Sequence, residues 1–259
     1  MVKLIACDID GTLLKSGEKK ISPQVFEQIE RLHNKGIVFC LASGRQYNSL
    51  LTLAGEYADR IYYLCNNGAI IYRPCSGGPV SEDVLSTTPI PRAAAEDICS
   101  YILAREGVDL NVGCANTDYV CPQFTDIDEH LTGLGYNVKK ISDVSQINED
   151  MLKITACCPD GSVNYMSEFD TKWGGSLNVS VSGHRWLDIT VSNKGTGIKA
   201  LCEALNISAV DVMAIGDNYN DLPMLDIVGH PVIMESAPEE IKRRYSKVCF
   251  RVQDVLAEI

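Results

Sequence analysis

The stretch KLIACDIDGTL, residues 3–13, carries the strongest structural signal in this chain. Its apolar part is followed at once by two aspartates, Asp8 and Asp10, and by Gly11. A short apolar run that ends at acidic residues and a glycine is typical of a buried β-strand followed by a tight turn. The stretch therefore predicts a buried first strand with two carboxylates at its carboxyl end.

Strands and helices alternate after this stretch. Residues 37–42 and 61–65 are apolar throughout, and a helix that starts at Ser22 and Pro23 precedes them. The same rhythm returns after residue 194, with a predicted strand at 210–215. Apolar strands that alternate with helices predict an α/β fold with a Rossmann-like parallel sheet that is covered on both faces.

The middle of the chain has a different pattern. Its predicted strands, such as those near residues 110, 153 and 186, are more amphipathic, and its turns are more frequent. We predict that residues 1–81 and 188–259 form the core domain and that residues 82–187 form an inserted α+β domain.

Composition narrows the function. A net charge of -11 argues against nucleic-acid and anionic-membrane partners, and no apolar run reaches the roughly 20 residues that span a bilayer. The chain has 11 cysteines without a Cys-x-x-Cys pair, which is typical of packed thiols in a reducing compartment. We expect a soluble cytoplasmic protein, a monomer or a small homo-oligomer.

Polar residues follow the predicted core strands. Because ligands of open α/β sheets bind beyond the carboxyl ends of the strands, these residues predict one site. They are Asp8, Ile9, Asp10 and Thr12 after the first strand, Ser43, Gly44 and Arg45 after the second, Asn67 and Gly68 after the third, Asp217, Asn220 and Asp221 after the strand at 210–215, and Lys194 at a helix start.

These residue types suit phosphoryl transfer. Magnesium prefers oxygen ligands, which the carboxylates of Asp8 and Asp217 and the backbone carbonyl of Asp10 supply. The metal and Lys194 would offset the acidic surface, and the Ser43 hydroxyl would bind phosphate oxygens together with the amides of residues 9 and 44. An ionised Asp8 can attack phosphorus, and Asp10, a second carboxyl group two residues further on, can serve as acid and base.

The four segments DIDGTL (8–13), ASGR (42–45), KG (194–195) and GDNYND (216–221) resemble the motifs of the haloacid dehalogenase-like superfamily. Their order and spacing are similar to those of its Cof-type sugar-phosphatase branch, which carries an α/β cap of type C2B between the second and third motifs. The resemblance covers nearly the whole chain.

This resemblance implies a residue-by-residue assignment. Asp8 would be the nucleophile and Asp10 the acid and base, and both would hold Mg²⁺ with Asp217. The transferred phosphate of a small phosphate ester would bind Ser43, Gly44, Lys194 and Asn220. Asp221 would orient Lys194 or the metal shell, with Thr12, Arg45, Asn67 and Gly68 in support.

Three residues of the insert, His184, Arg185 and Trp186, are candidates for contact with the leaving group. The opposing interpretation is that Trp186 belongs to the core of the insert and that His184 lies in a turn.

Other functions stay open at this point. A phosphomutase or phosphotransferase would use the same aspartyl-phosphate, and a non-catalytic phosphate-binding protein could keep the scaffold. A haloacid dehalogenase is the least favoured alternative, because it needs neither magnesium nor the Asp10 acid. A dinucleotide-binding enzyme is set aside, because no Gly-x-Gly-x-x-Gly follows the first strand.

Overall fold

The first strand, β1 (Leu4–Cys7), lies inside an eight-stranded sheet in the computed structural model, which describes residues 1–259. It pairs in parallel with Val38–Ala42 on one side and with Val212–Gly216 on the other. All four of its residues are buried, as expected for a strand that is covered on both faces. The predicted α/β fold with a parallel-sheet core is confirmed.

The chain divides into two units by its contacts. Unit 1 contains Met1–Ser43, Leu53–Ser86 and Asn193–Ile259, and unit 2 contains Gly44–Thr52 and Thr87–Ser192. The predicted boundary between residues 187 and 188 falls inside the strand Trp186–Thr190, whose residues all pair within unit 2.

The large sheet contains β1 and seven further strands, which are β2 (Val38–Ala42), β3 (Ile61–Cys65), β4 (Ile70–Tyr72), β5 (Val84–Thr87), β12 (Val212–Gly216), β13 (His230–Met234) and β14 (Val248–Cys249). Their order in the sheet is β14-β13-β12-β1-β2-β3-β4-β5. The accompanying helices are α1 (Pro23–Asn34), α2 (Tyr47–Ala54), α6 (Lys194–Leu205), α7 (Leu222–Leu225), α8 (Glu239–Lys242) and α9 (Val252–Ala257).

Helix α1 shows why these segments fold as they do. Pro23 occupies the first helical turn, where its missing N–H costs nothing. Val25, Ile29 and Leu32 repeat at helical spacing and are all buried, while the opposite face of the helix is polar. The apolar stripe therefore decides which side of the helix faces the protein interior.

The sheet is not parallel throughout, because β4 runs antiparallel to β3. The reversal is made by Asn66, Asn67 and Gly68, whose φ angles of 49°, 56° and 94° are all positive. Asparagine and glycine tolerate this left-handed backbone better than other residues, so the turn can be tight. The sequence pattern had predicted strand β3 but not its antiparallel partner.

Helix α2 is shorter than predicted. The expectation was a helix over residues 47–57, but α2 ends at Ala54 and a 3-10 turn covers Gly55–Arg60. Gly55 has a φ of 55°, and this left-handed residue ends the regular α-helix.

Unit 2 contains a six-stranded sheet with the order β10-β11-β9-β6-β7-β8, in which only the β7–β8 pair is parallel. Its strands are β6 (Asp109–Gly113), β7 (Asp118–Cys121), β8 (Val138–Lys140), β9 (Lys153–Cys157), β10 (Asn178–Gly183) and β11 (Trp186–Thr190). Its helices are α3 (Arg92–Leu103), α4 (Ile127–Gly133) and α5 (Val163–Trp173).

The two faces of this sheet differ in polarity. Leu110, Ile154 and Leu187 belong to one apolar cluster with side chains of α3 and α5. The residues that follow them, Asn111, Thr155 and Asp188, point to the opposite face because side chains alternate along a strand. These three polar residues are also buried.

None of the helices in the chain is both long and apolar enough to cross a bilayer.

The turn at Gly68 gives a stability test. A Cβ on Gly68 would lie 2.5 Å from the backbone oxygen of Asn193, and its φ is +94°. We expect Gly68→Ala to lower the free energy of unfolding by about 2–4 kcal/mol, because left-handed strain and overpacking add. Gly36→Ala is the control, since Gly36 also has a positive φ but open space around it. It should cost only about 1 kcal/mol in urea unfolding. Equal losses would contradict the steric explanation.

Candidate active site

Three neighbouring strands end at the same edge of the large sheet. Strands β12, β1 and β2 are adjacent and parallel, and Asp217, Asp8 and Ser43 directly follow them. The next strand in sequence, β2, lies on one side of β1, and the later strand β12 lies on the other side. The strand order therefore reverses at β1, which makes this edge a topological switch point. The arrangement places chemistry-bearing residues from distant parts of the sequence next to each other.

Lys194 begins helix α6 and is completely buried. The Asn193 side chain accepts a hydrogen bond from the Thr196 amide at 3.0 Å, and the Thr196 hydroxyl accepts one from the Asn193 amide at 2.9 Å. This capping box fixes where the helix starts and therefore where Lys194 points. The prediction missed Asn193, although the Asn-x-x-Thr spacing was a readable signal.

The Lys194 ammonium group connects two carboxylates. It donates to Oδ1 of Asp8 and to Oδ1 of Asp221, both at 2.6 Å. The second oxygen of Asp221 accepts the amides of Asp217 at 2.9 Å and Asn218 at 3.0 Å. Asp221 therefore contacts both Lys194 and the backbone of residues 217 and 218, and its role in orienting Lys194 for catalysis stays a prediction.

The carboxylates of Asp8, Asp217 and Asp221 lie close together, and burial and repulsion affect the pKa values of Asp8 and Asp217. Burial raises the pKa of Asp8 well above its ordinary value, and the charge of Asp221 raises it further, while Lys194 opposes both effects. Burial, with a smaller contribution from Asp221, raises the pKa of Asp217 to about 6. Burial alone would lower the pKa of Lys194, but the two carboxylates raise it above its ordinary value. One lysine does not neutralise three carboxylates, so the site favours a further cation.

The oxygen atoms present suit such a cation. Single carboxylate oxygens of Asp8, Asp217 and Asp221 lie within 4.8 Å of one another. Oδ2 of Asp8 is buried without a hydrogen-bond partner, whereas both oxygens of Asp221 are occupied. Hard divalent cations such as Mg²⁺ take carboxylate oxygens of this kind. Asp8 and Asp217 fit direct ligation, and Asp221 fits a supporting position.

Gly11 and Thr12 keep Asp217 in place. The Thr12 hydroxyl donates to Oδ1 of Asp217 at 3.1 Å. A Cβ on Gly11 would lie 2.2 Å from Oδ2 of Asp217, so only glycine leaves room for this carboxylate. Thr12 was predicted to be a supporting residue, and in the structure its hydroxyl donates to the Asp217 carboxylate.

The remaining predicted phosphate and acid–base residues lie in the loops after the strands. Asp10 is exposed, two positions beyond the buried Asp8, and forms an isolated β-bridge with Leu14. Ile9 is fully buried between them. Asn220 is half-buried in the turn Tyr219–Asp221.

The turn after β2 is anchored by its backbone. The Ser43 amide donates to the Leu64 carbonyl at 2.9 Å, and the Asn67 amide donates to the Ser43 carbonyl at 3.0 Å. Gly44 follows as the first residue of unit 2, where the Arg45 guanidinium donates to the Ser49 hydroxyl at 3.2 Å. Asn67 thus supports the turn that carries Ser43, whereas Gly68 lies close to the backbone of Asn193.

The three insert candidates lie where β11 begins in unit 2. His184 is exposed in the turn before β11, and Arg185 lines a surface cavity of about 550 Å³ and lies 3.6 Å from Asp126. Trp186 stacks on His130 with ring centroids 5.5 Å apart and packs against an apolar cluster with α4. These contacts give Trp186 a packing role, and a role of the three residues in substrate binding stays a prediction.

The fold is that of solved haloacid dehalogenase-like hydrolases. A family described as haloacid dehalogenase-like hydrolases matches residues 5–254. The chain therefore belongs to this family, which confirms the resemblance.

Individual relatives agree with this assignment. A putative phosphatase of Buchnera aphidicola is 26% identical, with 94% of this chain and 88% of that protein covered. A 5-amino-6-(5-phospho-D-ribitylamino)uracil phosphatase of Escherichia coli is 24% identical, with 91% and 86% covered. The structure of a sugar phosphatase of haloacid dehalogenase subclass IIB has the same fold, with a TM-score of 0.81, 22% identity, and 99% and 98% of the chains covered. The chain is a phosphatase of the haloacid dehalogenase-like family.

The buried lysine gives a second test. Lys194→Met leaves two buried carboxylates without their counter-charge, so we expect a loss of about 3–5 kcal/mol in the free energy of unfolding. Lys199→Met, at an exposed position of the same helix, should change it by less than about 0.5 kcal/mol.

The pH dependence of this loss has a defined sign. Without Lys194 the pKa of the Asp8 carboxyl group rises further, and a group with a raised folded-state pKa costs more stability as pH rises through that range. The deficit of Lys194→Met in urea unfolding should therefore be smaller near pH 5 than near pH 7. A deficit that does not change with pH would contradict the buried ion-pair explanation.

Proposed function

We propose that this protein is a Mg²⁺-dependent phosphatase that hydrolyses small phosphate monoesters through an aspartyl-phosphate on Asp8. One observation carries the proposal: Lys194 holds one oxygen of the Asp8 carboxylate, while the other, Oδ2, is buried without a partner beside Asp217. A carboxylate held in this way has one oxygen oriented for attack.

In the first step, one carboxylate oxygen of Asp8 attacks phosphorus, a new oxygen–phosphorus bond forms, and the bond to the ester oxygen breaks. Asp10 gives its proton to the departing alcohol. In the second step, Asp10 takes a proton from water, whose oxygen attacks phosphorus and releases phosphate and Asp8. Lys194 stays charged in both steps, because its pKa is raised.

The carboxylates of Asp8 and Asp217 and the backbone carbonyl of Asp10 would hold Mg²⁺. When bound, the metal neutralises charge on the phosphoryl oxygens, which is the main requirement of phosphoryl transfer. The amides of Ile9 and Gly44, the Ser43 hydroxyl, Lys194 and Asn220 would orient the phosphate. Asp221 would keep its two oxygens on Lys194 and the backbone.

The proposed substrate is a small phosphorylated sugar or polyol. The Escherichia coli relative is named for a phosphoribityl substrate, which is an ester of this size. Unit 2 is proposed to be the cap that selects the alcohol part. All 11 cysteines are free thiols, which supports a reducing, cytoplasmic location.

Asp8→Asn tests the proposed nucleophile. We expect phosphate release from a panel of sugar and polyol phosphates to fall to background, because an amide does not form the covalent intermediate. Asp10→Asn should retain about 10⁻² to 10⁻⁴ of the wild-type rate, since it removes only proton transfer. The control is Asp59→Asn, an exposed aspartate whose loss should leave the rate unchanged.

Two results would count against this proposal. Release that Asp8→Asn retains would exclude the nucleophile. No release by the wild type from any monoester, followed by activity with a bisphosphate activator, would favour a phosphomutase.

Metal binding should depend on pH. Asp217 has a pKa raised to about 6, and Asp8 also has a raised pKa, so both are increasingly protonated as pH falls. Because carboxylates bind metal only when ionised, Mg²⁺ should raise the thermal unfolding midpoint more at about pH 7.5 than at about pH 5.5. Asp217→Asn should lose most of this increase at both pH values. An equal increase at both pH values in the wild type would contradict the assignment.

A further inference from the structure

Unit 2 contains an open cavity of about 550 Å³, and all of the residues that line it belong to this unit. One wall is the loop of residues 122–126, and the other wall is formed by Pro159 and Arg185. Small-molecule sites of this size combine apolar surface with a few fixed polar groups. Both kinds of group are present in these walls.

The loop is held by one buried carboxylate. Asp109, at the start of β6, accepts the backbone amides of Gln123 at 2.7 Å and Phe124 at 3.0 Å. It also accepts the amide of Thr125 at 2.8 Å and the Thr125 hydroxyl. Hydrogen bonds to a completely buried, charged acceptor fix the loop, yet the Phe124 side chain is 47% exposed. The Phe124 ring is therefore presented at the cavity by a loop that is already ordered.

The backbone of the second wall is fixed as well. The carbonyl of Arg185 accepts the Cys158 amide at 2.7 Å, and the carbonyl of His184 accepts the Ser162 amide at 2.7 Å. The Ser162 hydroxyl donates to the Gly183 carbonyl at 2.8 Å. The Arg185 side chain consequently enters the cavity from a defined position.

The guanidinium group of Arg185 is poorly matched by the protein itself. Its Nε is buried without a hydrogen-bond partner. Its Nη2 lies 3.6 Å from the Cys157 sulfur and 3.6 Å from Oδ1 of Asp126, and the second distance is too long for a hydrogen bond. A guanidinium group has five N–H donors, so most of its capacity remains for a ligand.

The charges of the cavity favour a neutral ligand, because the carboxylate of Asp126 lies beside the guanidinium group of Arg185. A donor next to an acceptor complements a ligand edge on which a C=O lies next to an N–H. The apolar surface comes from flat rings, those of Phe124, Pro122 and Pro159. Aromatic side chains bind the faces of heterocyclic bases by stacking. Both features fit a planar heterocycle with an amide-type edge.

A polyol fits this cavity less well. The loop amides and the Thr125 hydroxyl are already used by Asp109, which leaves the side chains of Gln123, Asp126 and Arg185 as polar partners. Hydroxyl groups that face the walls without a partner cost binding energy. A ring with one polar edge requires fewer partners than a chain of hydroxyl groups.

We propose that this cavity of unit 2 is a binding site for a flat, neutral heterocycle whose edge carries an N–H beside a C=O, as the uracil ring does. Phe124 contacts the face of the ring, Asp126 accepts the N–H, and Arg185 donates to the C=O. The inference goes beyond the proposed phosphatase activity and does not depend on it, because the ligand needs no phosphate.

The test is a titration of the full-length protein with uridine, followed by saturation-transfer NMR and by calorimetry. In uridine the sugar occupies N1, so N3–H, which lies between two C=O groups, is the only N–H of the ring. 3-Methyluridine has a methyl group at this position and should bind about tenfold more weakly or worse, because Asp126 loses its donor. Free ribose, the polyol control, should not compete with uridine.

Two variants test the walls of the cavity. Phe124→Ala and Arg185→Met should each raise the Kd for uridine by about fivefold or more, since they remove the stacking surface and the charged donor. Phe124→Tyr keeps an aromatic ring and should stay within about twofold of the wild type.

The matched controls remove an exposed ring and an exposed cation outside the cavity. Phe250→Ala and Arg243→Met should leave the Kd within about twofold of the wild-type value. Thermal midpoints show whether each variant is folded. If Arg185→Met does not fold, Asp126→Ala takes its place, because Asp126 is 69% exposed.

The outcomes separate this inference from the proposed function. Uridine binding that N3-methylation and both cavity variants weaken, and that the two controls retain, supports the site. The absence of saturable uridine binding, an unchanged Kd in Phe124→Ala and Arg185→Met, or equal binding of ribose overturns it. Asp8→Asn should bind uridine as the wild type does, so a failure of phosphate release defeats only the proposed phosphatase activity.

Discussion

The buried ammonium group of Lys194 is the interaction on which the site depends. It lies 2.6 Å from one oxygen each of Asp8 and Asp221, at the point where two parallel strands and a helix begin or end. A charge that is removed from water is tolerated only when it is paired and hydrogen-bonded, so the three groups must stay together or not be buried at all. The capping box of Asn193 and Thr196 sets the helix start that makes this geometry possible.

Excess negative charge at this point links structure to chemistry. The whole chain carries a net charge of -11, and three of its carboxylates lie close together at this site, where Lys194 pairs with two of them. Burial, with a smaller contribution from the charge of Asp221, raises the pKa of Asp217 to about 6. Gly11 and Thr12 nevertheless keep the Asp217 carboxylate close to Asp8. Such a cluster of carboxylates could hold a divalent cation, whose charge would offset theirs.

Two buried lysines each hold a different acceptor group in place. Lys194 orients a carboxylate in unit 1, and Lys153 orients a backbone carbonyl in unit 2. Both have fixed partners and almost no exposed surface, so neither behaves as the solvated, mobile side chain that lysine usually is. The second lysine matters because Gly44 has no side chain of its own to hold its conformation.

The sequence by itself determined the α/β class, the family and the identity of most candidate site residues. The apolar strands, the helix signals and the aspartates after residues 3–7 are local patterns, and local patterns are readable without a structure.

Tertiary structure decided the other features of the fold and the site. The antiparallel strand β4 follows from three left-handed residues whose backbone no periodicity encodes, and α2 stops early at Gly55. The bond between Thr12 and Asp217 and the contact of Lys153 with Gly44 join residues 205 and 109 positions apart. Such pairs are set by how strands are ordered in a sheet, which a single sequence does not specify.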